Sequence, residues 1–576
     1  MQGKYYKLWS IIILMIFQIF LLTFIIQFKN LKETPTSKHL DNFGFEIDTA
    51  QKDITCIVNW WKRENDSEDT YYITIPYFAK KGIVKLNYLS NSEIYLDGRK
   101  VTNGERVSEI TEGMHEISCA DKVYHLWVIY GSDIPTVHIT TDSGSMDAIY
   151  ADKHYKEPGY AIILNGNEVE YQGNLDYITI RGNYTSTLAK KPFNMKFLGE
   201  PDLFGMGASK KWCLLANYLD NTMIKNKIGY DFAKEVKLTF SPEAMLTDLY
   251  INGEYIGNYT LCERIEVSKE RINIDDLGEW NERLNQGIDL ETLKLGGIRG
   301  DESYLEYGSS MWVEIPNSPE PSKGAYLIEY ELASRYDDEV SGFISNYGQP
   351  IIVKSPEYAS KEQVEYIQGY YQQFEDAVRS ENGYNSLGKH YSEYIDMESY
   401  AKLYVYQEFI KNLDAAGTSL FFYKEEGKKL VAGPVWDVDL GFGYEIERDG
   451  INMTDPNSLW VTGGHLSNEL SDKESVFTML CKHLDFRMEA SRQWEVFFRS
   501  KINVLSENVA RIYENNRESI VLDKFKWSQE SKYVQMEEQT NRNIQILCDF
   551  ISQRAEYLSE VYDSDGWMSS NYLLYY

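Results

Sequence analysis

The chain has 576 residues, 43% hydrophobic and 14% aromatic, which is material for two to four packed domains of roughly 100–200 residues each. A formal net charge of −30 repels phosphate backbones and argues against a nucleic-acid partner, and equally against a polybasic membrane-surface protein. The six cysteines (Cys56, Cys119, Cys213, Cys262, Cys481 and Cys548) form no CxxC pair, which sets aside a zinc ribbon or a thioredoxin-type site.

In chain order, Lys4-Tyr-Tyr-Lys7 precedes an apolar run from Leu8 to Ile26 that ends at Gln27-Phe28-Lys29. That run is close to the roughly 20 residues a helix needs to span a bilayer. No small-residue cleavage site follows it, so residues 1–29 read as an uncleaved signal anchor contacting lipid through 8–28. A single-pass membrane protein with its large C-terminal part outside the cytoplasm is the expected topology. Residues 30–40, with Pro35, read as a linker.

Residues 41–131 read as a small β-sandwich module. Short runs such as Tyr71–Ile75, Ile83–Leu86 and Tyr124–Ile129 are punctuated by turn signals at Asp97-Gly98 and Asn103-Gly104. Cys56 and Cys119 lie in this module, and either bridge its strands or stand as free buried thiols. Residues 132–565 read as an α+β domain, mixed to about 360 and mostly helical from about 361. Val137–Thr141 and Tyr177–Ile180 read as strands, Met223–Glu235 as a helix, and Leu249–Leu261 as a hairpin turning at Asn252-Gly253. Tyr326–Tyr330 reads as a further strand, and about 280–320 as an insertion or loop. Lys361–Ser380, Met397–Leu413, Ser491–Asn515 and Met536–Tyr562 carry apolar residues at helical spacing. The 45 tyrosines suit half-buried packing sites, or a carbohydrate-binding face.

Four stretches carry candidate chemistry. A helix ends near Asn412-Leu-Asp414, and a hairpin from Leu420–Tyr423 to Lys429–Val431 leads to Pro434-Val-Trp-Asp437-Val-Asp439-Leu-Gly441. On a strand, Asp437 and Asp439 would share one side and could bind a hard cation. One carboxylate to orient the attacking hydroxyl and another to hold Mg²⁺ on the phosphates is the layout of phosphoryl transfer. Upstream, Arg181-Gly182-Asn183 followed by Lys190-Lys191-Pro192 and Lys196 offers a glycine turn and a lysine-bearing strand that could cover phosphates, although no Walker A or GxGxxG pattern is present. Leu261-Cys-Glu263-Arg264 places a carboxylate after a strand, where it could pair with a lysine. Asp220 or Thr222 suits the N-cap of the helix that follows.

Taken together in chain order, these blocks resemble the CotH (spore coat protein H) kinase family. The blocks are Arg181-Gly182-Asn183 with Ser186, Lys191-Pro192 and Lys196; Ala216-Asn217-Tyr218 with Asp220 and Thr222; Asn252-Gly253, Tyr255, Gly257, Tyr259, Leu261 and Glu263; Asn412 and Asp414; and Pro434, Trp436, Asp437 and Asp439. The resemblance covers roughly residues 132–560. It implies an atypical protein-kinase-like core that uses ATP and Mg²⁺ to phosphorylate Ser or Thr of a protein substrate. By position, Asp414 would be the catalytic aspartate and Asp437 a magnesium ligand, with Asp439 beside it. Lys196 would contact phosphate, with Lys191 and Arg181 as further contacts and Glu263 in support. One departure stands out: the family and protein kinases carry a metal-binding Asn about five residues after the catalytic Asp, and here that position is Ser419. A catalytically inactive envelope scaffold or adhesion protein on the same fold is therefore the alternative.

Overall fold

The computed structural model describes residues 40–51, 53–80, 82–108, 110–299, 306–415, 417–448, 451–462, 475–528 and 533–569. The expected anchor at 8–28 lies outside the described residues; among the described residues no helix is long and apolar enough to cross a membrane. The chain divides into two compact units. One holds the described residues up to Asp48 with Thr55–Ile75 and Ala79–Ile129, and the other holds Thr49–Ile54, Pro76–Phe78 and everything from Tyr130 onward.

The first unit is all β: β1 (Asn42–Asp48), β2 (Thr55–Asn59), β3 (Thr70–Ile75), β4 (Ile83–Leu89), β5 (Ile94–Leu96), β6 (Arg99–Val101), β7 (Arg106–Ser108), β8 (Gly113–Cys119) and β9 (Lys122–Tyr130). They form two antiparallel groups, ordered β2-β1-β4-β7 and β3-β9-β8-β5-β6. Alternation drives this: along β9, Tyr124, Leu126, Val128 and Tyr130 are buried while His125 and Trp127 face out. Asp97 and Gly98 both take positive φ, the two-residue turn that joins β5 to β6. Cys56 and Cys119 are buried thiols that form no disulfide, and burial pushes the Cys56 thiol up to about 12.

The second unit begins with a closed barrel. Its strands are β10 (Thr136–Thr141), β11 (Glu157–Asn165), β12 (Glu168–Ile180), β13 (Phe193–Phe197), β14 (Lys211–Leu215), β15 (Ala244–Ile251) and β16 (Glu254–Glu263). Their order is β14-β13-β12-β11-β10-β15-β16, and β14 pairs again with β16 to close the ring. Only β10–β15 is parallel; the other pairings are antiparallel. The β15–β16 turn has Asn252 at φ 52° and Gly253 at φ 84°, the left-handed pair that matches strand twist in a tight hairpin. Strand β14 reads Lys-Trp-Cys-Leu-Leu and serves two cores. Trp212 and Leu214 pack inside the barrel, whereas Cys213 and Leu215 face the larger core beyond it.

That larger core is built around a second sheet and the helices. The sheet contains β17 (Leu295–Gly297), β18 (Ser310–Val313), β19 (Tyr326–Tyr330), β20 (Gly342–Ile344), β21 (Pro350–Ser355), β22 (Leu420–Lys424) and β23 (Leu430–Ala432), in the order β17-β18-β20-β21-β19-β22-β23. Part of the region expected as an insertion is thus sheet, because Met311 and Val313 alternate inward on β18. The helices are α1 (Lys225–Glu235), α2 (Lys361–Arg379), α3 (Met397–Ile410), α4 (Val476–Lys482), α5 (Leu484–Gln493), α6 (Ile502–Trp527) and α7 (Tyr533–Tyr562). Helix α2 starts with a capping box at Ser360 and Gln363. The single helix expected over Ser491–Asn515 is interrupted: a wide π turn at Trp494–Phe498 follows α5 and buries both rings, with centroids 6.1 Å apart, before α6 begins. The unit is mixed α and β with a helical C-terminal part.

Candidate functional site

Helix α3 is buried almost all round, and its cap geometry aims the chain that follows. Asp396 accepts the Ser399 N–H at 2.8 Å at its start, and Lys411 takes a left-handed φ of 50° at its end. Below the last turn, the Arg554 guanidinium is paired with the Glu408 carboxylate at 2.7 Å, both fully buried. Glu408 also accepts the backbone N–H groups of Trp460 at 2.7 Å and Thr462 at 3.0 Å. The chain leaving this anchored end carries Asn412 and Asp414. The Asn412 amide donates to the Asp437 carbonyl at 3.2 Å, and its carbonyl oxygen accepts the Asp414 N–H at 3.3 Å. The Asp414 carbonyl accepts the N–H groups of Gly417 and Thr418, which tightens the loop into β22.

The segment after β23 is not the strand expected from the sequence. Pro434 has no N–H for a ladder bond, and Asp437 sits at φ 54°, so the two-residue alternation does not set the aspartates' directions. The segment is instead pinned by side chains and loops: Val438 N–H donates to Asn226 on α1 at 3.1 Å, and Leu413 N–H donates to the Leu440 carbonyl at 3.3 Å. Gly229 makes this approach possible, since a Cβ there would lie 2.5 Å from Val438 Cγ2. Asp437 and Asp439 still meet: the Asp437 carboxylate accepts a hydrogen bond from the Asp439 carboxyl group. Burial, the charge of Asp437 and the charge of Asp220 raise the Asp439 pKa well above the usual carboxylate range, with Asp414 adding to the effect.

These residues line a cavity of about 720 Å³ between the barrel and the second sheet, within the size range of small-molecule sites. Asp414, Asp437, Asp439, Ser419 and Arg181 all reach its wall. Arg181 lies over the Trp436 ring at 5.3 Å. Burial alone would lower its pKa, but the negative charge of Cys213 and Asp437 carries it upward. Arg181 is therefore a cation that faces Asp437 from the cavity wall.

The other basic candidates lie elsewhere. Lys196 does not line the cavity and pairs with Asp176 at 2.7 Å. Lys191 also stays off the wall, its ammonium donating to the Ser186 carbonyl at 2.8 Å. Glu263 pairs with the buried Arg271, which lies over Trp212, so no Lys196–Glu263 pair forms. Neighbouring Lys190 does reach the wall, but it is fully buried and paired with Asp523 at 2.5 Å, a structural tie to α6. Period-2 reasoning explains the miss: β13 alternates Phe193, Met195 and Phe197 inward, so Lys196 faces away from the barrel core.

The sequence offered Asp220 or Thr222 as the N-cap of α1, but the N-cap is Ile224. Asp220 instead accepts Thr222 N–H and Oγ1 and the Lys225 N–H at 2.7, 2.6 and 2.7 Å, and its charge acts on Asp439, a place the sequence did not show. Asn226 had no sequence signal.

Among the described residues, no group of three or more His, Cys, Asp or Glu side chains forms a closed metal cage. The Asp437–Asp439 pair nonetheless fits magnesium, which takes one or two protein carboxylates and fills its remaining positions with water and phosphate oxygens. A buried carboxylate crowded by others is also the charge arrangement that a divalent cation relieves.

Compared with known proteins, the chain matches the family model described as CotH kinase protein over residues 178–558. No curated protein sequence matches it. The matched span contains every residue named above at the cavity, and the family implies ATP and a divalent metal in general terms.

Proposed function

The chain belongs to the CotH kinase family, and from that premise we propose that it transfers the γ-phosphoryl group of ATP to a Ser or Thr hydroxyl of a protein substrate. The observation that carries this reading is the convergence of Asp414, Asp437, Asp439 and Arg181 on one cavity. In this mechanism the Asp414 carboxylate accepts the proton of the attacking hydroxyl and fixes its approach. Arg181 binds phosphate oxygens as their charge redistributes. Asp437 and Asp439 hold magnesium, which when bound neutralises charge on the phosphates. Burial of Asp439 and stacking of Arg181 on Trp436 restrict the motion of both groups, so little reorganisation accompanies the transfer.

The membrane anchor at 8–28, with the rest of the chain outside the cytoplasm, is part of the same proposal and rests on the apolar run alone. Protease protection of the full chain in sealed vesicles tests it.

Ser419 favours a second reading. It lines the cavity at the position expected to carry a metal-binding Asn, and takes a φ of 55° that Asn tolerates better than Ser. An envelope scaffold that has kept the fold and lost turnover would carry such a change. Phosphate incorporation from ATP by the full-length chain, with Asp414→Ala as control, decides between the two. Incorporation that vanishes in the variant supports the kinase; magnesium-dependent ATP binding without incorporation supports the scaffold.

A further inference from the structure

Cys213 on β14 and Cys262 on β16 are directly opposed in the antiparallel register at the seam that closes the barrel. Opposed residues of an antiparallel pair have Cα atoms about 4.5–5.5 Å apart, inside the range that a disulfide spans. Of the six cysteines, these two alone are register partners, and none is in a disulfide. Both are buried, at 1% and 0% exposure. Cys213 also reaches the wall of the candidate active cavity and Cys262 does not, so a small reagent has a path to one sulfur only.

The surroundings distinguish the two sulfurs. Cys213 Sγ donates to Asn194 Oδ1 at 3.3 Å, and the neighbouring Cys262 thiol, with the charges of Arg181, Arg264 and Arg271, lowers the Cys213 pKa against the effect of burial. Cys262 is pushed the other way, by burial and by the charge on Cys213. Cys213 is the more readily ionised of the two, which suits it to attack and Cys262 to resolve.

We propose that Cys213 and Cys262 are a peroxide-oxidisable pair that forms a reversible disulfide across the barrel seam. The co-reactant is a hydroperoxide. The Cys213 thiolate attacks one peroxide oxygen, the O–O bond breaks, and the departing hydroxide takes a proton to become water, leaving Cys213 as a sulfenic acid. The Cys262 sulfur then attacks the Cys213 sulfur, the S–O bond breaks, and the hydroxyl leaves with the Cys262 proton as a second water. The two sulfurs together lose two electrons and the two peroxide oxygens gain them.

The test treats the full-length chain with limiting hydrogen peroxide and maps its peptides without reduction. A linked Cys213–Cys262 peptide that disappears on treatment with dithiothreitol is the expected result. Cys262→Ala should halt the reaction at a sulfenic acid on Cys213, trapped by a dimedone probe, while Cys213→Ala should leave Cys262 unlabelled. Absence of the linked peptide, or equal labelling of Cys262 in Cys213→Ala, overturns the assignment. These mass readouts do not depend on the kinase reading.

Discussion

Replacing Arg554 by Met tests whether the end of α3 is held as described. Arg554 donates five hydrogen bonds: two to the Glu408 carbonyl, one to the Glu408 carboxylate, and one each to the carbonyls of Pro456 and Ser458, at 2.6–3.2 Å. Methionine fills most of the volume but leaves Glu408, at 0% exposure, with only Trp460 and Thr462 as donors. An uncompensated buried charge of this kind costs about 3–5 kcal/mol. Equilibrium urea unfolding measures it, with tryptophan fluorescence as the probe, since the Trp460 ring is buried and donates to the Asn412 carbonyl at 2.9 Å. Adding Glu408→Gln removes the stranded charge, so the double variant should recover about 1–3 kcal/mol relative to the Arg554→Met single variant. A loss under about 1 kcal/mol for the single variant, or strict additivity in the double, would refute the reasoning.

Asp414→Ala should lower phosphoryl transfer about 10²–10⁴-fold with MgATP affinity retained, read by steady-state kinetics alongside calorimetry. Asp437→Ala should abolish the magnesium dependence of ATP binding, and equal binding by that variant would remove it from the metal site. Arg181→Ala should weaken ATP binding about tenfold or more while Lys196→Ala changes it little, because only Arg181 reaches the cavity. The Asp248 carboxylate accepts from the Tyr255 and Ser519 hydroxyls, and burial raises its pKa to about 7. The unfolded chain titrates this group near 4, so the folded state binds the extra proton between about pH 4 and 7, and stability falls as pH rises through that window. Asp248→Asn should flatten the fall by roughly 3–5 kcal/mol in unfolding measured from pH 4 to 8, and an unchanged pH profile would show that Asp248 is ionised in the fold. Gly229→Val should displace Val438 and with it Asp437 and Asp439, lowering ATP affinity more than stability.

The sequence by itself was informative where the signal is local. Alternation and Asn-Gly or Asp-Gly turns located the β10, β15, β16 and β19 strands and their hairpin, and helical spacing located α1, α2, α3 and α7. The ordered blocks identified the family, and the three aspartates Asp414, Asp437 and Asp439 were named from their spacing around a hairpin. Tertiary structure decided which basic residue faces them. Lys196, Lys191 and Arg181 lie within sixteen positions of one another in the chain. Their directions depend on barrel register, on an ion pair with Asp176 and on stacking over Trp436, none of which is encoded within a short window. The direction of Asp437 likewise came from a left-handed backbone turn, held by Asn412 and Asn226 from far along the chain, and not from a strand. The opposition of Cys213 and Cys262 could not be read in sequence either. Forty-nine positions separate them, and they meet only because β14 closes the barrel against β16. Local propensity is set by neighbours a few residues away, whereas a site is set by contacts between distant elements, and those exist only once the core has packed.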